Sequence, residues 1–109
     1  MVRTMAEQEA SPSHEGSQVT VVLPHQLRQQ AGGTRSLQVT AADVRDAIRA
    51  IDRVYPGMAF SICHETGELR RFVNVFVGSE SIRYLQGLET PVHQGDVVQI
   101  IHSVAGGAT

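Results

Sequence analysis

A single helix among strands is what most limits how this chain can fold. Between Asp43 and Pro56, the residues Val44, Ala47, Ile48, Ile51 and Val54 recur at the spacing of one helical face. Asp43, Arg45, Asp46, Arg49, Asp52 and Arg53 occupy much of the remainder. Thr40 followed by Asp43 reads as a capping box with Asp in place of Glu at its third position. Pro56-Gly57 ends the segment, because proline cannot continue the hydrogen-bond ladder and glycine releases the turn. No other stretch predicts a convincing second helix.

The rest of the patterned sequence reads as strands. Residues 1–17 are polar, rich in Ser and Glu and without periodicity, so they predict an N-terminal tail that buries too little apolar surface to order itself. Met5 is an alternative start. Val19, Val21 and Leu23 then alternate with Thr20 and Val22. After a polar segment with a Gly32-Gly33 turn, Ser36–Thr40 gives a second strand, and the two suggest an antiparallel hairpin. Met58–Leu69 is ambiguous: Met58, Phe60 and Ile62 alternate, but the segment is short and runs into a turn at Glu65–Glu68. Phe72–Val77 is a strong strand of β-branched and aromatic residues. Gly78-Ser79 suits a tight reversal, with glycine supplying positive φ at the first turn position. Ser81–Leu85 returns as a short strand, and Asp96–His102 makes the last one. One helix cannot cover both faces of a four- or five-stranded sheet, so it lies across one face and leaves the other open. That is an α+β, β-grasp (ubiquitin-like) architecture over residues 18–102, followed by an arm at 103–109.

Composition narrows the function. The net charge is −2, and Arg28, Arg35, Arg70 and Arg71 are scattered along the chain, so no basic face for nucleic acid is evident. Cys63 is the one cysteine, which excludes an internal disulfide and fits a cytoplasmic protein. No apolar run approaches the ~20 residues of a membrane helix, and no signal-peptide segment opens the sequence. The histidines at 14, 25, 64, 93 and 102 show no metal-ligand spacing. Gly32-Gly33 lacks the Lys or Thr of a phosphate cradle. Cys63-His64 is no nucleophile and base, since adjacent residues on an extended chain point apart.

From Arg71 onward the sequence resembles the MoaD/ThiS family of sulfur carriers. The matching pieces are RFVNVFV (71–77), IRYLQGLETPV (82–92), QGDVVQI (94–100) and VAGG (104–107), each at the expected distance from the diglycine. Within that family the similarity points to actinobacterial carriers that supply sulfur for cysteine synthesis. The resemblance implies a protein co-substrate rather than an enzyme, with no catalytic residue, bound cofactor or metal of its own. A ubiquitin-activating-type enzyme would use ATP to adenylate the carboxylate of Gly107. A sulfur donor would then displace AMP and leave a thiocarboxylate. The carrier would deliver that sulfur to an acceptor enzyme, such as a PLP-dependent cysteine synthase. The residues agree with this reading. Gly106 and Gly107 lack side chains and pass through a narrow tunnel, and Val104 and Ala105 are small enough to follow. Family members end at the second glycine, whereas Ala108 and Thr109 follow it here. Extended relatives are trimmed by a zinc-dependent peptidase, and the same is expected of this chain.

If Val73, Val75 and Val77 face the helix, strand geometry sends Phe72, Asn74 and Phe76 to the open face, with Ile101 or Val97 as the candidates beside them. Phe72 and Phe76 would then form a partner interface. In the opposite arrangement they belong to the core. Three functions stay open at this point: a sulfur carrier, a ubiquitin-like modifier joined through Gly107 to other proteins, and a β-grasp interaction domain that is never activated.

Overall fold

The computed structural model describes residues 16–103. The chain runs through β1 (Ser17–Val22), a short helix α1 (His25–Arg28), β2 (Ser36–Ala41), the main helix α2 (Val44–Val54), a second short helix α3 (Met58–Ile62), β3 (Val73–Val77), β4 (Glu80–Ser81) and β5 (Val97–His102). The strands form one five-stranded sheet in the order β2-β1-β5-β3-β4. β1 and β2 are antiparallel, as the hairpin reading expects. The central pair β1 and β5 is parallel, while β3 is antiparallel to both β5 and β4. This is the mixed sheet of a β-grasp fold. β1 begins at Ser17, one residue before the expected boundary. Residues 1–15 of the N-terminal tail and the arm from Val104 onward lie outside the described residues.

The core follows the predicted periodicities. Val44, Ala47, Ile48 and Ile51 of α2 are buried against Val19, Val21, Val39, Val73, Val75, Val98 and Ile100 of the strands. Val54, placed on the same helical face by its spacing, is exposed at the last residue of the helix. The cap differs from the expected one. Thr40 still belongs to β2, paired with Gln18, so it cannot start a helix. Asp43 is the N-cap, and its Oδ1 accepts from the Asp46 amide at 2.8 Å. Asp46 Oδ2 in turn accepts from the amide of Ala42, the residue before the N-cap, at 3.0 Å, so a variant of the box sits three residues later in the chain.

A second correction concerns residues 58–62. They form a helix, not a strand, with Met58 and Ile62 fully buried and Phe60 57% exposed. Met58 and Ile62 are four apart, so alternation and one helical turn fit the same two anchors. The helix is favoured by Gly57 at φ 99° and by Asp52, whose Oδ1 accepts from the amides of Gly57 (3.0 Å) and Ala59 (2.9 Å). Pro56-Gly57 therefore ends one helix and starts the next. α1 packs Leu27 into the core within a segment read as loop. The expected strand at 81–85 is also shorter. After the Gly78-Ser79 reversal, with Gly78 at φ 63°, β4 stops at Ser81. Ser81 Oγ accepts from the Arg83 amide at 3.2 Å, and a 3-10 turn (Ile82–Tyr84) carries Ile82 into the core.

Candidate functional site

The site is the point where the chain leaves the sheet, together with the sheet face beside it. β5 is the central strand next to β1 and β3, so whatever follows His102 emerges from the middle of the sheet's end. The Ser103 amide donates to the Phe72 carbonyl at 2.8 Å, which extends the β3–β5 pairing by one step and fixes the root of the arm against Phe72. Gln26 of α1 reaches the other side, its Nε2 donating to the His102 carbonyl at 3.4 Å. Val104, Ala105, Gly106, Gly107, Ala108 and Thr109, the residues on which the arm chemistry was predicted, lie outside the described residues.

Beside that root, β3 divides its side chains as expected. Val73 and Val75 are buried beneath α2, whereas Phe72 is 39% exposed and Asn74 and Phe76 are partly exposed on the other face. Val77, expected toward the helix, is partly buried at the end of the strand. Register places Asn74 opposite Ile101 and Phe76 opposite Gln99. Val97, two residues earlier on β5, is exposed. The open face thus carries Phe72, Phe76, Val97 and Ile101, an apolar set with no helix over it among the described residues. It also has a fixed polar pair, since Ser81 Oγ donates to Asn74 Oδ1 at 3.0 Å. The Arg71 guanidinium stands 5.4 Å from the centroid of the Phe72 ring, within range of a cation–π contact. Arg83 Nη2 donates to the Val73 carbonyl at 3.1 Å. Neither arginine was singled out as part of a site from the sequence, because nothing local links them to the arm.

Elsewhere the chemistry is quiet. Cys63 is buried and His64 is exposed, consistent with the two side chains pointing apart. Burial pushes the Cys63 thiol above its ordinary value, against the smaller opposing pull of Arg45 and Arg70. It stays protonated near neutrality and is a poor nucleophile. A cleft of about 430 Å³ between α2 and α3 is lined by Arg45, Arg49, Phe60, Cys63 and Leu88 among others. Among the described residues no cluster of His, Cys, Asp or Glu could hold a metal ion, and no helix is long and apolar enough to cross a membrane.

A mixed five-stranded sheet with its main helix on one face and a chain end leaving the central strand defines a ubiquitin-like, β-grasp protein. The comparisons agree and go further. The chain belongs to the ThiS family, whose model matches residues 21–107. It is 35% identical over 91 residues to the sulfur carrier protein CysO of Mycobacterium tuberculosis, covering 82% of this chain and 98% of that one. It is also 35% identical over 66 residues to small archaeal modifier protein 3 of Haloferax volcanii, covering 61% of this chain and 71% of the relative. Among solved structures, a chain in the crystal structure of the Amycolatopsis orientalis BexX/CysO complex superposes with a TM-score of 0.76 at 37% identity, covering 82% of this chain and 99% of that one.

Proposed function

We propose that this protein is a sulfur carrier whose working group is the carboxyl of Gly107, exposed by removal of Ala108 and Thr109. One observation carries the reading most directly: the family match runs through the diglycine and stops at Gly107, two residues short of the chain's end. A carboxylate is inert to sulfide until its oxygen becomes a good leaving group. ATP supplies that, as the carboxylate attacks the α-phosphorus, pyrophosphate departs and an acyl-adenylate forms. Sulfide sulfur then attacks the acyl carbon, AMP leaves, and a thiocarboxylate remains. The protein's own contribution is presentation. It holds the arm at the end of the sheet and offers Phe72 beside the arm's root, with Phe76 further along β3, as the docking face for the adenylating enzyme. An acceptor enzyme, with a PLP-dependent cysteine synthase as the candidate, then draws sulfur from the arm. A zinc-dependent peptidase prepares it.

The archaeal modifier relative supports a second reading, in which the activated Gly107 is joined to amines of other proteins. All nine cationic side chains of this sequence are arginine. A guanidinium does not deprotonate in proteins and so is no acceptor. A modifier of this sequence therefore has no side-chain amine through which copies could be joined into chains.

The intact mass of the protein recovered from its native cells tests the proposal. It should correspond to a chain ending at Gly107, with a fraction in which sulfur replaces one oxygen. A population retaining Ala108-Thr109 throughout would favour the interaction domain, and isopeptide adducts the modifier.

A further inference from the structure

Scattered in sequence, four of the arginines are brought by the fold to one end of the sheet, while Arg45, Arg49 and Arg53 ride on α2. β1 and β5 run parallel and β3 runs against them, so one end of the sheet holds the ends of β1 and β5 and the start of β3. That end is the arm's root. Arg71 precedes Phe72 there and covers its ring. Arg83 reaches the carbonyl of Val73, the residue opposite His102. The Arg70 side chain turns away toward α3 instead, its Nε donating to the Phe60 carbonyl at 2.6 Å and its guanidinium 4.7 Å from the Phe60 ring centroid. On the other flank, the Leu23 amide donates to the Arg35 carbonyl at 2.8 Å, just past the Val22–Gln99 rung, and Arg28 Nε donates to the Leu23 carbonyl at 3.1 Å.

Five carboxylates collect at the opposite end, whereas Glu65 and Glu68 sit in the loop before β3, where Glu68 shares clefts with Arg70 and Arg83. Asp96 immediately precedes β5, and Glu80 pairs with Val77, which faces Val98. Asp43 and Asp46 follow β2, whose last residue, Ala41, pairs with Ser17 at the start of β1. Glu89 is held there by Arg45 at 3.0 Å. Asp52 is an exception along α2, occupied by the amides that begin α3. Among the described residues, none of Arg28, Arg35, Arg70, Arg71 and Arg83 is in a salt bridge. A chain of net charge −2 thus surrounds the root of its arm with cations.

We infer that the arm's protein partner presents carboxylates around the mouth that admits it, so that this arginine collar guides the carrier in arm first. A guanidinium remains charged at any working pH and matches a carboxylate in a bidentate fork. Complementary fields act mainly on the rate of encounter and weaken with ionic strength. The collar rings an apolar ring face and a chain exit, the layout of a protein interface with a charged rim. The choice of partner rests on the carrier reading above.

The test uses the chain truncated after Gly107 and the adenylating enzyme of its host, followed by stopped-flow association at about 20 mM and about 300 mM salt. The variant carries Arg35→Glu and Arg71→Glu, both exposed positions whose side chains make no hydrogen bond among the described residues. Wild-type association should fall about tenfold or more across that salt range, and the variant should be about tenfold slower at low salt with a flatter dependence. Its melting temperature and its thiocarboxylate yield at saturating carrier should match wild type. Equal association rates for variant and wild type, with thiocarboxylate formed normally, would overturn the collar alone. Salt-dependent association without thiocarboxylate would overturn the carrier reading and leave the collar standing. No association at all would overturn both. Tight, salt-sensitive binding of a single-stranded oligonucleotide that the variant loses would reassign the collar to nucleic acid and overturn this inference.

Discussion

The two faces of β3 are made of the same kind of residue and do opposite things. Val73 and Val75 are 1% and 0% exposed under α2, while Phe72, one residue before the strand, is 39% exposed. Apolar area removed from water stabilises the fold by ~25 cal/mol per Å², and the helix side has already gained this from its own chain. On the sheet side the same gain awaits another molecule. Strand periodicity separates the two jobs within five residues, so each can be attacked without touching the other.

The largest expected effect is on the helix side. Val75→Asp would bury a carboxylate with no partner, a cost of several kcal/mol against a total stability of about 5–15 kcal/mol. Urea denaturation followed by circular dichroism should show no cooperative transition at room temperature. On the sheet side, Phe72→Ser and Phe76→Ser should each weaken binding to the adenylating enzyme by ~30-fold, the equivalent of about 2 kcal/mol for a buried aromatic anchor. Phe72→Ser should leave the urea midpoint unchanged. Phe76→Ser, at a partly buried position, should lower stability by ~1 kcal/mol. A variant that unfolds instead would make that phenylalanine part of the core and break the division.

Smaller again is Cys63→Ala. It should cost about 1 kcal/mol of stability and leave sulfur transfer in a reconstituted system intact, because sulfur is held at the chain end. Loss of transfer with the fold preserved would expose a thiol-based mechanism. The smallest effect is that thiol's pH dependence. Its folded pKa is raised by burial above the ordinary 9.0. The unfolded chain therefore ionises first, and stability is lost as pH rises from about 9.0 toward the folded value. Wild type should lose stability relative to Cys63→Ala over that window and match its pH profile below it.

Much of this division was legible beforehand. Val44, Ala47, Ile48 and Ile51 announce the helix through local spacing, and alternation in Phe72–Val77 separates two faces of the strand, leaving to the packing of α2 which one is buried. What escaped was decided at a distance. Met58 and Ile62 fit a strand or a helix equally, and the choice falls to Asp52, whose carboxylate caps the new turn from the previous helix. Thr40 has the chemistry of an N-cap but is held in a strand by Gln18. Arg35 becomes a neighbour of the arm's root through the parallel β1–β5 pairing, and Arg71 and Arg83 through the antiparallel β3–β5 register, neither of which a local pattern encodes.

The central claim is that sulfur is loaded on Gly107, and the two-residue extension gives its most direct test. In the full-length chain the Gly107 carbonyl is locked in a peptide bond to Ala108. The carboxylate of Thr109 would overshoot the reacting phosphate by roughly 6 to 7 Å, at up to ~3.6 Å per extended residue. Reacting atoms need to lie ~3 to 3.5 Å apart. Both forms should be incubated with the host's adenylating enzyme, ATP and sulfide, and their intact masses recorded. The account predicts a thiocarboxylate on the chain truncated after Gly107 and none on the full-length chain. Equal loading of the untrimmed chain, or no loading of either, would contradict it.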